Sequence, residues 1–471
     1  GMDALAYFAC LYSLMIPLAV ILIIHVSRID TFKDNIPLFC LLLFLPFFFA
    51  GALLAEIYRI FPGVASLVYG ADLAGAAAGS LCVILALDLL GVIRAALLLG
   101  VIASVSAVFF SDSAKSQKVL GEVSPELFKK IFGGLKKKTL TTTVFCVFIS
   151  HEAGFYLPLI PVGANPDKEI HDAIHKFKGK IIETRWSAFG RTDLVRFDQY
   201  PDLMDIYLDG TAGSPMYRFN GDFNNPGSTI DNLKKSFPGY FPFINLKENE
   251  KDTVLIIGPG GGRDILLALM GGIQRITAVE INKDLVDIVG RYSQYNGNIY
   301  TGRTNVTIIV DEGRNFLKRQ EEKYDLIMLS LPVTNTSRSL EGYALTENFL
   351  LTTESIEDYL NHLTDEGRLV IVGHDDVEIL RILSISLNAL HRRSLSQAAA
   401  MNHVYIVGSD EYLVFVLKKT PLDPQEASSG YNAMQRLGYD PAVSYFPYGT
   451  QTMPLNPTLT ALGRGAITLD H

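Results

Sequence analysis

Cysteine is scarce: four residues in 471, Cys10, Cys40, Cys82 and Cys146, each inside an apolar run. None forms a Cys-x-x-Cys pair or a spaced cluster of metal ligands. This excludes a disulfide framework and a zinc site, and the thiols read as small buried hydrophobes. Basic charge is also short. The chain has 41 Lys and Arg against 49 Asp and Glu, a net charge of −8, which argues against a general nucleic-acid binder. Tryptophan occurs once, at Trp186, and reads as a core or interface residue rather than a ligand platform. What the chain has in excess is apolar residues, 49% of the total, and they are concentrated before residue 166.

Residues 5–26, 36–55, 67–90 and 92–110 are apolar runs of about 20 residues each, enough to cross a bilayer as helices. The first lacks a basic start and is followed by more spans, so it is not a cleavable signal peptide. Gly75 and Gly79 form a GxxxG pattern in the third run and predict close helix contact. Residues 112–138 carry seven lysines against three acids, which places that segment in the cytoplasm. Residues 139–162 read either as a fifth span or as a segment lying in the membrane interface. Gly1 ahead of Met2 reads as an appended residue and leaves room for further spans upstream.

The remainder is organised around residues 253–283. Residues 253–257 are a β-branched run, as in a buried parallel strand. Gly258, Gly260, Gly261 and Gly262 then turn the chain around Pro259, and their missing side chains let a ligand reach the backbone. Helical spacing over 264–270 aims the loop N–H groups and the helix N-terminus at one point. A second strand, 275–279, carries Glu280 at its tip, where a carboxylate can accept both hydroxyls of a ribose. The unit reads as a nucleoside site.

Upstream, alternating runs in 180–197 and 203–208 predict a small antiparallel sheet. Downstream, helices at 284–294, 314–321, 346–363 and 377–390 alternate with strands at 306–310, 324–331 and 369–372. Residues 365–367 read as a turn. Asp311 follows the third strand and is placed either to accept from an adenine amino group or to cap the next helix, with Gly313 behind it. Strands at 403–407 and 412–417 form a hairpin. Five βα units closed by an antiparallel hairpin make a doubly wound, Rossmann-like sheet of the methyltransferase type, and favour an S-adenosyl ligand over NAD. The predicted order is transmembrane helices (1–111), basic loop and interfacial or fifth segment (112–165), small β segment (166–250), Rossmann-like domain (251–420) and tail (421–471) with a short helix at 428–437.

The runs ETRWSAFGRTDLV, LDGTAGSPMYRFNGD, LIIGPGGGRDILLAL, AVEIN, VDEGRNFL, KYDLIMLS and GYALTENFLLTTESIEDYL resemble the polyamine aminopropyltransferases. The membrane-attached branch, the spermidine synthase-like proteins, is the closer match. The resemblance implies a transferase that binds S-adenosylmethionine or its decarboxylated form. Gly258, Gly260, Gly261, Gly262, Glu280, Asp311 and Gly313 would be the cofactor-binding residues. It also implies a small-molecule acceptor such as a polyamine and a homo-oligomer, while the apolar runs, the lysine-rich segment and the need for a cytosolic nucleoside predict an integral protein of the inner or plasma membrane with its catalytic domain cytoplasmic. Three departures stand out. Gly261 takes the place of the family's loop Asp, Ser330 opens the run where an Asp would deprotonate the attacking amine, and Gly213 stands near an expected Gln. A polyamine is a string of cations and an amine must lose a proton to attack, so these losses rewrite the amine end. Asp264, Glu341 and Glu347 are candidate replacement acids, and Ser330, Asp264 and Glu347 the candidate catalytic set. The alternatives are a non-catalytic nucleoside-binding sensor or transporter-associated domain, and an NAD-dependent enzyme.

Overall fold

The apolar runs at the start of the chain fold as long helices: Met2–Val26, Ile36–Ile60 and Ala65–Gln117. The computed structural model describes residues 2–29, 31–32, 35–117, 125–157, 168–187, 189–332, 349–409, 411–449 and 454–468, with backbone alone at 2–3, 110–117 and 125–138. Three stretches among these are long and apolar enough to cross a membrane: Ala4–Val26, Ile36–Ile60 and Pro62–Phe109. The third is 48 residues long. At a rise of about 1.5 Å per residue it is more than twice the thickness of a hydrocarbon core. Gly91 breaks it with φ 74° and ψ 166°, a conformation open to glycine alone, at the junction of the two expected runs. Large apolar side chains such as Phe47, Leu81 and Leu89 point outward, as they do where lipid is the solvent.

Several expectations for this region change. No Cβ at Gly75 or Gly79 would meet anything within 4 Å, so among the described residues the GxxxG stripe makes no close helix contact. The close approach is at Gly100 instead, where a Cβ would sit 3.0 Å from Pro17 and 3.3 Å from the Ser13 carbonyl. Cys146 is buried, but Cys40 and Cys82 are exposed on their helices. Where it is described, the lysine-rich segment is helical. Residues 112–117 prolong one helix, and residues from 125 onward form another, Pro125–Tyr156. Lys, Leu and Glu are good helix formers, and charge alone does not break a helix.

The chain divides into two units: residues 1–167 with 185–191, and residues 168–184 with 192–471. The second holds most of a four-stranded sheet in the order β1 (Lys180–Ser187), β2 (Gly190–Arg196), β3 (Leu203–Leu208), β4 (Thr211–Tyr217). Strand β3 pairs antiparallel with both β2 and β4. Met204, Ile206 and Met216 put one face of this sheet into a core shared with Val254, Ile256 and Ile265.

A seven-stranded sheet follows: β5 (Thr253–Ile257), β6 (Arg275–Glu280), β7 (Val306–Val310), β8 (Tyr324–Ser330), β9 (Leu363–Gly373), β10 (Val404–Gly408) and β11 (Leu413–Lys418). Its order is β10-β11-β9-β8-β5-β6-β7. Strands β5 to β9 run parallel, and β11 is antiparallel to both its neighbours. This is the methyltransferase-type doubly wound sheet. Strand β5 is buried throughout because alternate residues feed opposite cores, Val254 and Ile256 on one face, Leu255 and Ile257 on the other.

Two elements depart from expectation. Residues 365–367 are not a turn but part of β9, where the register to β8 shifts. The tail is more ordered than its weak periodicity suggests. Asp423 caps the helix Pro424–Leu437, and Tyr431, Met434 and Phe446 join the core.

Candidate functional site

In a parallel sheet the strand ends on one edge gather the chemistry. At that edge lie the glycine loop after β5, Glu280 at the end of β6, Asp311 just after β7, and Ser330 at the end of β8. Gly258, Gly260 and Gly262 have φ of 73°, 55° and 99°, so the loop needs glycine for its shape. A Cβ on Gly258 would meet nothing within 4 Å, leaving open space there. The other side of the loop is tightly covered. The Gly261 N–H donates to Ser214 Oγ at 2.8 Å, and a Cβ on Gly261 would lie 2.3 Å from the Pro215 carbonyl. Gly261 is therefore more than a missing Asp, because β4 fills the space that a side chain would need. Gly313 serves packing in the same way, since its Cβ would lie 2.4 Å from Ile257.

Glu280 is buried, and its carboxylate accepts the Gly260 N–H at 3.3 Å and the Asn282 N–H at 3.0 Å. Burial pushes its pKa up, against the pull of these backbone donors. Asn282 caps the helix Lys283–Arg291 and donates to Thr192 Oγ1 at 3.0 Å. Beside the two acids, Ile281 and Val310 expose apolar side chains. Asp311 is paired with Arg319, and one carboxylate oxygen accepts the Glu312 N–H at 2.8 Å. The cap of the helix Gly313–Lys318 is Glu312, which accepts from Arg314 and Asn315, so Asp311 is not the N-cap.

Two candidate catalytic residues come together. Asp264 and Ser330 face one another at the ends of neighbouring elements, yet Asp264 Oδ1 and Ser330 Oγ are both buried without a hydrogen-bond partner. Burial raises the Asp264 pKa, opposed by the Arg263 guanidinium and then by Ser330. Glu341 and Glu347 lie outside the described residues. Gly213 donates its N–H to Glu169 Oε2 at 2.9 Å.

Several site residues were not singled out from sequence. Tyr300 donates to the Gly260 carbonyl at 2.5 Å. Arg263 stacks on Phe237 with its guanidinium carbon 3.7 Å from the ring centroid. Asp205 accepts from Tyr207 at 3.2 Å, and burial is the main force pushing it up to about 6. An open cavity of about 660 Å³ lies beside Tyr217, against Thr229, Asp231, Asn232 and Ser236. Arg263 was legible as the first residue after the glycines. Tyr300 and Asp205 carried no motif.

No family model matches the chain. Curated relatives do. The polyamine aminopropyltransferase of Buchnera aphidicola subsp. Acyrthosiphon pisum is 33% identical over 121 residues, 25% of this chain and 38% of that protein. The polyamine aminopropyltransferase of Thermoplasma volcanium is 26% identical over 126 residues, 27% of this chain and 42% of that protein. The chain thus spans less than half the length of these relatives. A solved structure of a probable spermidine synthase from Corynebacterium glutamicum aligns at 16% identity with a TM-score of 0.40, covering 55% of this chain and 87% of that one. Over about a quarter of its length the chain is thus similar in sequence to polyamine aminopropyltransferases, and among the described residues it carries three helices long and apolar enough to cross a membrane ahead of a methyltransferase-type sheet.

Proposed function

We propose that this chain is a membrane-anchored transferase that binds an S-adenosyl cofactor at the strand-end edge and passes an alkyl group to a small acceptor. The observation that carries the reading is Glu280 joined to the glycine loop through the Gly260 N–H, with open space at Gly258. Glu280 would hold the ribose hydroxyls, Ile281 and Val310 would flank the base, and Asp311 would accept from its amino group. When bound, the cofactor supplies a sulfonium-activated carbon. Asp264 and Ser330 are the polar groups left for the reacting end, each with a buried oxygen that has no hydrogen-bond partner among the described residues. Neither residue matches the paired acids expected for a polycation, so a polyamine acceptor is the narrower option.

A second reading, a nucleoside sensor without turnover, is favoured by one feature. The Gly261 N–H is already occupied by Ser214. Calorimetric titration of the detergent-solubilised full chain with methylthioadenosine, S-adenosylmethionine, its decarboxylated form and NAD tests the assignment. S-adenosyl compounds bind, NAD does not, and Glu280→Gln weakens binding by about tenfold or more. Binding of NAD alone, or of none of the four, overturns it. Binding without transfer to any amine acceptor selects the sensor.

A further inference from the structure

Arg263 and Asp264 are consecutive and opposite in charge, the acid buried and the guanidinium largely so, yet incompletely paired. Their side chains are 14% and 3% exposed, and Arg263 Nε lies 3.9 Å from Asp264 Oδ1, beyond hydrogen-bond reach. Arg263 Nε and Asp264 Oδ1 are both buried with no hydrogen-bond partner, one a donor and one an acceptor. Leaving such atoms unsatisfied costs free energy that a ligand can recover. The guanidinium is held in place by the Phe237 ring and also faces Tyr217 and Asp205, so it is oriented while its Nε stays without a hydrogen-bond partner. It opens the helix Arg263–Met270, whose first turn has no side-chain cap and whose N-terminal N–H groups favour negative charge. Ser330 Oγ is a third unpartnered polar atom beside the acid.

An α-amino acid group carries a carboxylate and an ammonium on one carbon. A fixed guanidinium beside a fixed carboxyl is its complement. We infer that Arg263 and Asp264 form a subsite for an α-amino acid group, with Arg263 taking the carboxylate, and Asp264 with Ser330 taking the ammonium. The inference rests on the nucleoside-site reading above, and it favours a cofactor that keeps its carboxylate over the decarboxylated form. A decarboxylated ligand would satisfy Asp264 and leave the buried Arg263 Nε without a partner. Gly261 points the same way, because the Pro215 carbonyl leaves no room there for a loop acid to hold a lone amine. The same group could belong to the cofactor or to a free amino acid bound beside a nucleoside.

Titration calorimetry on the full chain in detergent tests this, with methylthioadenosine as the nucleoside-only reference. S-adenosylmethionine should bind about tenfold or more tighter than its decarboxylated form. Arg263→Gln should abolish that preference while leaving methylthioadenosine affinity unchanged, and Arg263→Lys should retain part of it. L-methionine binding to protein saturated with methylthioadenosine, and lost in Arg263→Gln, would assign the subsite to a free amino acid. Equal or tighter binding of the decarboxylated form, with no L-methionine binding, overturns the subsite while the nucleoside reading stands. A parallel loss of methylthioadenosine affinity in Arg263→Gln also overturns it, since the residue would then act through the fold. Absence of all binding removes both.

Discussion

Tyr300 donates its hydroxyl to the Gly260 carbonyl at 2.5 Å, so a residue forty positions along the chain holds the centre of the glycine loop. Burial drives the Tyr300 pKa well above its usual value, so the hydroxyl keeps its proton and remains a donor. The loop is thereby held from both sides, by Tyr300 on the carbonyl of Gly260 and by Glu280 on its N–H.

Removing that hydroxyl tests whether the loop is held for a ligand. Tyr300→Phe keeps the ring and should cost about 1 kcal/mol of stability. If the loop is the nucleoside site, methylthioadenosine affinity should fall by about fivefold or more, read by calorimetry. Unchanged affinity would separate the loop from binding.

Restoring the loop acid should not restore the related chemistry. In Gly261→Asp the new Cβ would lie 2.3 Å from the Pro215 carbonyl and 2.9 Å from the Met216 nitrogen, both backbone. Backbone cannot move aside as a side-chain tip can. Overpacking of this kind costs roughly 1–3 kcal/mol, seen as a lower melting temperature. Wild-type stability in this variant would show that β4 lifts off the loop readily.

Asp205 sets a pH dependence of stability. Its folded pKa is raised to about 6 from 3.8, mainly by burial. Across that interval the folded state holds the proton that the unfolded chain releases. Stability therefore falls as pH rises from 3.8 to about 6 and levels off beyond. The drop should be roughly 2 kcal/mol, after allowance for partial exposure. Asp205→Asn should flatten this part of a denaturation series. A slope identical to wild type would assign the effect elsewhere.

Away from the site, Arg368 and Glu250 form an ion pair with side chains only 4% and 2% exposed. Removing one partner strands a buried charge, so Glu250→Gln or Arg368→Met should each cost about 3–5 kcal/mol. The double change to apolar residues of similar volume should recover most of it. Additive losses in a double-mutant cycle would mean that the two groups are not coupled.

The sequence alone determined the periodic elements and their order. Apolar runs long enough for a bilayer, β-branched strands alternating with amphipathic helices, and the closing hairpin are local patterns, and local sterics and burial set them. The glycine loop and the acid at the tip of β6 were legible for the same reason, since the strand edge places them by chain order. Tertiary structure decided what meets what. Packing alone put Ser214 on the Gly261 N–H and Tyr300 on Gly260, gave the close helix contact to Gly100 rather than to the GxxxG stripe among the described residues, and drew the tail into the core. It also left Arg263 beside the buried Asp264 without closing the two into a hydrogen bond. Those outcomes depend on residues far apart in the chain and on a few tenths of an ångström of clearance, which no spacing rule encodes.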